Sequence, residues 1–258
     1  MTAKSEVVTP FLRLFALAGL LALAACGRGG NVAEACQDIL FEGARFTACH
    51  ASPQTHDLVL VNRGADGQPM RDFAGLEKRL GERYANLAFA MNAGMFDAKG
   101  AAIGYYVEDG AEQTPLNRKP GPGNFHLLPN GVFWGDTAGW HADTTDNFAA
   151  MKPDHVRFAT QSGPMLLIRG RLHPQISDNG ASLQIRNGVG VSVDGTAWFA
   201  ISNESVSFGR FARLFRDKLA CPDALYFDGA VSRLFDPVAG RKDGGAPIGP
   251  IVVAVQKR

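Results

Sequence analysis

Four short clusters of polar and glycine residues contain the side chains from which this sequence could build a chemical site. The clusters are MNAGMF (91–96), ATQSGPM (159–165), IRNGVG (185–190) and LYFDGAVSR (225–233). Several of their polar residues stand where predicted strands end, and the ends of strands are where a rigid scaffold commonly presents functional groups. Together they offer a carboxylate at Asp228, a planar cation at Arg186, and amides and hydroxyls that hydrogen-bond polar ligands.

Each cluster also has an interpretation in which it only turns the chain. Asn92-Ala93-Gly94 and Ser162-Gly163-Pro164 are typical turn sequences, and Asp228-Gly229 suits a hairpin between ALYF and AVSRLF. Spacing alone does not separate such a turn from a catalytic carboxylate. Asn130-Gly131 and Asp194-Gly195 are predicted to be hairpin turns without a chemical role.

Composition and missing motifs exclude several familiar classes of protein. The net charge is +1, from 26 Lys+Arg and 25 Asp+Glu, and without a long basic run no nucleic-acid partner is predicted. The sequence contains no HExxH metal motif, GxSxG elbow, Walker A loop or GxGxxG fingerprint. No cofactor is therefore predicted and no residue is assigned as a metal ligand, although the sequence leaves a bound metal open.

The apolar pattern predicts the elements that must hold these clusters. Strands are predicted at 57–61, 87–91, 103–107, 156–160, 165–168, 189–193, 197–202, 224–227 and 251–255. Amphipathic helices are predicted at 73–84 and 208–219. The strongest hairpin signal joins 125–128 to 132–134, and 137–155 is predicted to be a polar surface excursion. Many strands with two main helices predict a single α+β domain with mixed β-sheets.

The order of the motifs carries a resemblance to a known family. NAGMF, GNFHLLPNGVFW, ATQSGPMLLIRGRLHP, IRNGVGVS and ALYFDGAVSRL resemble the bacterial branch of the phosphodiester glycosidase family, over roughly residues 57–255. That family includes the animal lysosomal uncovering enzyme, N-acetylglucosamine-1-phosphodiester alpha-N-acetylglucosaminidase. The resemblance implies cleavage of a sugar–phosphate phosphodiester at the anomeric carbon, with release of free sugar and a phosphomonoester.

This chemistry assigns expected roles to the clustered residues. A glycosyl phosphodiester has a good leaving group, so a strong general acid matters less than in ordinary glycosidases. Arg186 is expected to bind the phosphate because its planar fork holds two oxygens at once. Asp228 is expected to act beside the oxocarbenium-like centre as base, nucleophile or electrostatic stabiliser. The other predicted substrate-binding residues are Asn92, Gly94, Gln161, Ser162, Gly163, Asn187, Asn203, Gly229 and Ser232.

Three questions stay open at this point. A second carboxylate is not secure: Glu204 and Asp109 are candidates, Glu204 the better placed, and a solvated loop acid explains either. Ser162 is alternatively the nucleophile of a phosphodiesterase or esterase, which would require a histidine within hydrogen-bond reach. The protein is alternatively an envelope glycan-binding lipoprotein without catalysis.

The beginning of the sequence predicts export with a lipid anchor. Residues 1–25 read as a lipoprotein signal peptide, because the apolar run 14–25 is shorter than the roughly 20 residues that span a bilayer. The run ends in LAAC (23–26), which resembles a bacterial lipobox, so Cys26 is the predicted lipidation site. Residues 26–33 are then a tether and 34–258 the folded domain. A plain secretory signal with a chance cysteine is the alternative.

The residue after Cys26 and the other cysteines extend the prediction of export. Gly27 predicts sorting to the periplasmic face of the outer membrane if the cell is Gram-negative, where a glycosyl phosphodiester or envelope glycan would be the substrate. In that oxidising compartment Cys36 and Cys49 are expected to form a disulfide. Cys221 is expected to be a free, packed thiol.

Overall fold

The computed structural model describes residues 1–2 and 32–258. The predicted signal peptide, the lipidation site Cys26 and all but the last two residues of the predicted tether lie outside the described residues. The Ala33 N–H donates to Gln256 Oε1 at 3.2 Å, so the domain holds the chain from this point. None of the helices in the described part of the chain has the length and apolar character needed to cross a bilayer.

Strands dominate the described chain. In chain order they are β1 (Cys36–Phe41), β2 (Ala44–Ala51), β3 (His56–Val61), β4 (Leu87–Asn92), β5 (Tyr106–Glu108), β6 (Ala111–Thr114), β7 (Gly131–Gly135), β8 (Trp140–Thr144), β9 (Phe158–Ser162), β10 (Met165–Ile168), β11 (Arg171–Leu172), β12 (Asn187–Val191), β13 (Ala197–Ser202), β14 (Asp223–Asp228), β15 (Leu234–Asp236), β16 (Arg241–Lys242) and β17 (Ile251–Gln256). The α-helices are α1 (Leu76–Leu80), α2 (Thr145–Met151) and α3 (Phe208–Arg213).

The strands form three sheets. The seven-stranded sheet has the order β1-β2-β13-β12-β14-β10-β11, and the two five-stranded sheets have the orders β16-β15-β4-β17-β3 and β6-β5-β9-β7-β8. The predicted α+β class is confirmed, with few helices and a predominance of sheet. Every strand pairing among the described residues is antiparallel. The mixed sheets predicted from the sequence are therefore not observed.

The apolar run ALYF at 224–227 is continuous because β14 is buried on both faces. Leu225 and Phe227 pack into the core between the sheets, whereas Ala224 and Tyr226 pack into the cluster that α3 covers. Successive side chains of a strand point to opposite faces, so burying both faces requires apolar residues at every position. This strand carries Asp228 at its end, and its burial fixes the position of that carboxylate.

The two helical predictions hold in part. Leu76–Leu80 is α-helical and continues as a 3-10 turn to Asn86, which is shorter than the helix predicted at 73–84. The segment predicted at 208–219 begins as α3 and continues as a π-turn over Leu214–Lys218. Phe211 and Phe215 on this segment are fully buried against the seven-stranded sheet.

The predicted hairpin around Asn130-Gly131 is wrong. Phe125 belongs to a 3-10 turn (Asn124–His126), and β7 pairs with β8 and β9 instead of with residues 125–128. Asn130 is buried, and its Nδ2 donates to Phe125 O at 2.8 Å, so it closes a loop. The predicted surface excursion at 137–155 is also wrong in part, since it contains β8 and α2.

The cysteines are arranged as predicted. Cys36 on β1 and Cys49 on β2 are register partners joined by a disulfide. Cys221 is free and buried, and burial raises the pKa of its thiol to about 12. A thiol that stays protonated at neutral pH is a poor nucleophile, so Cys221 acts as a packing residue.

Candidate functional site

Polar side chains from all three sheets meet where four strands begin or end. Asp228 ends β14 and Asn187 begins β12 in the seven-stranded sheet. Asn92 ends β4 in one five-stranded sheet, and Ser162 ends β9 in the other. All four residues are buried, with Ser162 and Asn187 at 0% exposure. The clusters singled out in the sequence are therefore brought together at one junction, which we call the three-sheet junction.

Asn187 is the central side chain of the junction. Its Nδ2 donates to the backbone oxygen of Asn92 at 2.7 Å and to Asn92 Oδ1 at 3.0 Å. Its Oδ1 accepts from the backbone N–H of Asp228 at 3.1 Å. Asn92 Nδ2 in turn donates to Val231 O at 2.6 Å. Both amides use their bonds to join β4, β12 and β14, so they position the site.

Asp228 holds the turn that follows β14 and keeps part of its carboxylate free. The N–H groups of Ala230 and Val231 donate to Oδ1 at 2.9 and 3.4 Å, and Oδ1 takes both of these bonds. Oδ2 therefore retains lone pairs for a ligand. Burial raises the pKa of Asp228 above its ordinary value, and the backbone N–H groups of residues 229–231 act in the opposite direction.

The alternative in which Asp228-Gly229 is a hairpin turn is excluded by the strand pairing. β14 pairs with β12 and β10, whereas β15, the next strand, pairs with β4 and β16 in another sheet. The chain thus crosses between sheets immediately after Asp228. Ser232 Oγ closes this crossing by donating to Asp228 O at 2.9 Å, and it also lies 3.3 Å from Asn187 Oδ1.

Ser162 is placed as a structural hydroxyl. It is fully buried, and its Oγ donates to Phe227 O at 2.7 Å, which joins β9 to β14. A serine nucleophile must pass its proton to a base, usually a histidine. Among the described residues no histidine hydrogen-bonds Ser162 Oγ, so this geometry does not form the nucleophile–base pair that the esterase alternative requires.

Arg186 does not occupy the position that the sequence analysis expected. It is fully buried, and its guanidinium carbon lies 3.5 Å from the Phe208 ring centroid. Nε donates to Val206 O at 2.9 Å, Nη1 to the Tyr226 hydroxyl at 3.2 Å, and Nη2 to Ser182 O at 2.8 Å and Ser182 Oγ at 3.3 Å. All three guanidinium nitrogens of Arg186 donate to acceptors within the protein. Arg186 is therefore a positioning residue here and does not present its guanidinium to a phosphate.

Gln161 and Asn203 also have internal roles. Gln161 Oε1 accepts from the N–H groups of Tyr105 and Asn117, both at 2.9 Å, and its Nε2 donates to Asn117 O at 2.7 Å. It therefore fixes the loop after β6 beside the junction. Asn203 is exposed and bonds Thr47 and Arg241, which places it outside the hydrogen-bond network of the junction.

Neither candidate for a second carboxylate joins the network of Asp228. Glu204 Oε1 accepts from the Arg45 N–H at 2.8 Å, and Asp109 lies in the β5–β6 turn, 3.4 Å from Arg79. The described residues also contain no group of three or more His, Cys, Asp or Glu suited to a metal ion. Asp228 is thus the carboxylate that the geometry places in the site.

The predicted glycines have close neighbours that explain their small size. A Cβ on Gly94, whose φ is +148°, would lie 2.7 Å from Thr160 Oγ1. One on Gly163 would meet the side chain of Asn130, and one on Gly229 would collide with the Tyr226 hydroxyl. The glycines let the strand ends approach each other, and the ligand contact expected of them stays a prediction.

Arg233 is a residue of the junction to which the sequence analysis gave no role. Its N–H donates to Asn92 Oδ1 at 2.8 Å, and its O accepts from the Asn92 N–H at 3.3 Å. Arg233 and Arg186 are the buried arginines among the described residues, and Arg233, at 4% exposure, lies five positions after Asp228 in the same cluster. Its place next to the candidate carboxylate was the signal available in the sequence.

Comparison with known proteins assigns the family. The model of the phosphodiester glycosidase family matches residues 85–247, a range that contains every residue of the junction. This chain belongs to the phosphodiester glycosidase family. The uncharacterized protein YigE of Escherichia coli is 36% identical to this chain over 186 residues, which cover 71% of each chain.

Solved structures share the phosphodiester glycosidase fold at low sequence identity. The catalytic domain of zebrafish N-acetylglucosamine-1-phosphodiester alpha-N-acetylglucosaminidase, auto-inhibited by its pro-peptide, matches with a TM-score of 0.57 and 14% identity, covering 86% of this chain and 82% of that one. A hypothetical protein from Synechocystis matches with a TM-score of 0.53 and 12% identity, covering 85% of this chain and 61% of that one. These likenesses establish the fold.

Proposed function

We propose that this protein hydrolyses the sugar–phosphate bond of glycosyl phosphodiesters, with Asp228 as the carboxylate beside the anomeric carbon. The observation that carries the proposal is the three-sheet junction, where a buried carboxylate keeps Oδ2 for a ligand. Family membership supplies the substrate class. The amides of Asn92 and Asn187 stabilise the junction and thereby hold Asp228 in place.

The reaction requires little acid catalysis. The bond between C1 of the sugar and the bridging oxygen breaks, and the phosphate leaves with both electrons as a phosphomonoester. Positive charge develops on the sugar ring, and a carboxylate in a dry site stabilises it more strongly than one in water. The water oxygen then bonds to C1, and its proton passes to Asp228 or to solvent.

The site of action that fits this chemistry is the cell envelope. The lipobox-like sequence ending at Cys26 supports an exported, lipid-anchored protein, and the disulfide between Cys36 and Cys49 is typical of an oxidising compartment. We therefore include in the proposal that the substrates are glycosyl phosphodiesters of envelope polymers or exported glycans, and that the anchor places the enzyme on the periplasmic face of an outer membrane.

A turnover assay with two charge-matched variants tests the proposal. Sugar-1-phosphodiesters, beginning with one of N-acetylglucosamine, are incubated with the mature chain, and released sugar and phosphomonoester are measured separately. Asp228→Asn is expected to lower the rate by about 10²–10⁴-fold. Asp194→Asn, in the exposed turn between β12 and β13, is expected to keep the wild-type rate.

Three other results would contradict the proposal. Release of a sugar phosphate would indicate a phosphodiesterase. Equal turnover by the Asp228→Asn and wild-type proteins would remove Asp228 from the reaction. Glycan binding without turnover by either protein would identify a non-catalytic glycan-binding lipoprotein.

A further inference from the structure

Among the described residues, the guanidinium of Arg233 has no hydrogen-bond or ion-pair partner, unlike that of the buried Arg186. Arg186 donates four hydrogen bonds to protein oxygens. Arg233 is 4% exposed, and only its backbone groups hydrogen-bond within the described part of the chain. No described carboxylate lies within ion-pair distance of it. The carboxylate of Asp243, which lies nearby, already has other partners: it forms an ion pair with Arg241 at 2.9 Å and accepts from the Leu234 N–H.

A largely buried guanidinium without an acceptor lowers the stability of the folded protein unless a ligand binds it. Removing a charge from water carries a large desolvation penalty, which a counter-charge and hydrogen bonds must offset. A guanidinium matches the oxygens of a phosphate in a two-bond fork. The guanidinium of Arg233, largely buried and without an acceptor among the described residues, is therefore suited to bind an anion from solution.

The loop beside the guanidinium offers further donors. Gly245, at a φ of +120°, lies so close that a Cβ there would be 3.1 Å from Arg233 Nη2. Gly244 and Gly245 are exposed, and their N–H groups make no hydrogen bond to a described backbone or side-chain acceptor. Backbone N–H groups without an acceptor beside an arginine can add donors to an anion that the guanidinium binds.

We infer that Arg233, with the backbone of Gly244-Gly245, is the phosphate-binding group of this site. The inference rests on the proposed function, because it takes the anion to be the phosphate of a glycosyl phosphodiester. Arg233 suits this task because Asn92 clamps its backbone and Asn187 links Asn92 to Asp228. The same hydrogen bonds thus tie together the backbone at Asp228 and at Arg233, the two residues that the proposal assigns to neighbouring atoms of the substrate.

Phosphate binding tests the inference without any turnover. Inorganic phosphate is titrated into the mature chain and into Arg233→Gln, Arg233→Lys and Arg216→Gln, with calorimetric detection. Arg233→Gln is expected to weaken binding at least tenfold, and Arg233→Lys less, since lysine keeps the charge and loses the fork. Arg216→Gln is the matched control, because Arg216 is exposed and pairs only with its neighbour Asp217. It is expected to bind as the wild type does.

Thermal unfolding separates a ligand-binding arginine from a structural one. Without phosphate, Arg233→Gln is expected to unfold at a temperature no lower than that of the wild type, because it removes a partnerless buried charge. With phosphate, the midpoint is expected to rise for the wild type and to stay unchanged for Arg233→Gln. Wild-type affinity in Arg233→Gln, no binding by the wild type, or a variant that unfolds or fails to fold for lack of Arg233 would each overturn the inference.

The two proposals fail separately. Phosphate binding through Arg233 without release of sugar would contradict the glycosidase proposal alone. Sugar release that depends on Asp228, together with unchanged phosphate binding by Arg233→Gln, would contradict the phosphate assignment alone.

Discussion

The burial of Asp228 suits its proposed role in catalysis but lowers the stability of the folded state. Burial raises its pKa, so the folded state binds a proton more readily than the unfolded chain does. Above the folded-state pKa the carboxylate is charged and desolvated, which lowers stability. As the pH falls through that pKa, protonation of the folded state removes this cost.

The sign of this linkage gives a prediction for Asp228→Asn. Asparagine can keep the Oδ1 bonds to Ala230 and Val231 without the charge. At neutral pH the variant is expected to be more stable than the wild type, by about 1.4 kcal/mol for each unit by which burial raises the pKa. The difference should shrink as the pH falls toward 3.8, the ordinary value. Denaturant unfolding across this range measures it, and a less stable variant at neutral pH would contradict the account.

Arg186 shows the opposite relation between burial and stability. Substitution by glutamine removes the donor to the Tyr226 hydroxyl and to Ser182 O, whereas Val206 O keeps the N–H of Gln184 at 3.2 Å. A buried polar group left unpaired costs about 1–3 kcal/mol, and Tyr226 is fully buried, so Arg186→Gln is expected to lower the free energy of unfolding by about that amount. Unfolding in urea tests this. A variant of wild-type stability with strongly reduced phosphate binding would return Arg186 to the role predicted from sequence.

The two arginines show why residue types alone do not decide which cation binds a phosphate. Arg186 and Arg233 both lie in glycine-containing clusters beside predicted strands, and a sequence does not state which guanidinium finds partners within the fold. Val206 accepts from Arg186 across 20 positions and Ser182 across four, and the Phe208 ring lies against the guanidinium. The position of Asp228 at the end of a buried strand was predictable, because its cluster follows the apolar run 224–227.

At the scale of elements, local patterns predicted strands better than connections. The runs at 87–91, 197–202 and 251–255 became β4, β13 and β17. Asn130-Gly131 has the sequence of a hairpin turn, yet β7 pairs with β8 and β9, because long-range packing overrode the local signal. Asp228-Gly229 illustrates the same ambiguity, since the turn leads to a different sheet.

The hairpin of β1 and β2 gives a prediction at this scale. β1 is an edge strand, and the disulfide joins its first residue to the neighbouring β2. The disulfide closes a loop between residues 13 positions apart and so lowers the conformational entropy of the unfolded chain. For a loop of this size the effect stabilises the folded state by about 3 kcal/mol at room temperature. Cys36→Ser is expected to lose about that much stability in denaturant unfolding, and wild-type protein with its disulfide reduced should match it. Equal stability of oxidised wild type and variant would contradict the prediction.

At the scale of the whole molecule, the junction depends on three sheets that the sequence could not assemble. The predicted clusters are separated by up to about 140 residues, as with Asn92 and Arg233, whose hydrogen bond spans 141 positions. Only the family resemblance linked the clusters before the fold was known, and the family match over 85–247 confirms it. The antiparallel pairing and the sheet order follow from long-range contacts that strand patterns do not encode.

The location of the molecule gives a further prediction. If Cys26 carries the lipid anchor, the Cys26→Ser variant has no acyl chains. Each CH₂ group of such a chain that is buried in the bilayer contributes about 0.8 kcal/mol to membrane binding. The variant is expected to leave the membrane fraction and appear in the soluble exported fraction. Detection by immunoblot after fractionation, with Cys221→Ser as the control cysteine, measures it. Retention of Cys26→Ser in the membrane fraction would contradict lipid anchoring.

The most direct test of the central claim is to determine which bond is broken. A sugar-1-phosphodiester is hydrolysed in water enriched in the heavy oxygen isotope, and the phosphomonoester product is analysed by mass spectrometry. Attack at the anomeric carbon predicts a phosphomonoester without the label, formed by the wild type and strongly diminished with Asp228→Asn. Incorporation of the label into the phosphate would show attack at phosphorus and would contradict the assignment of Asp228 to glycosidic cleavage.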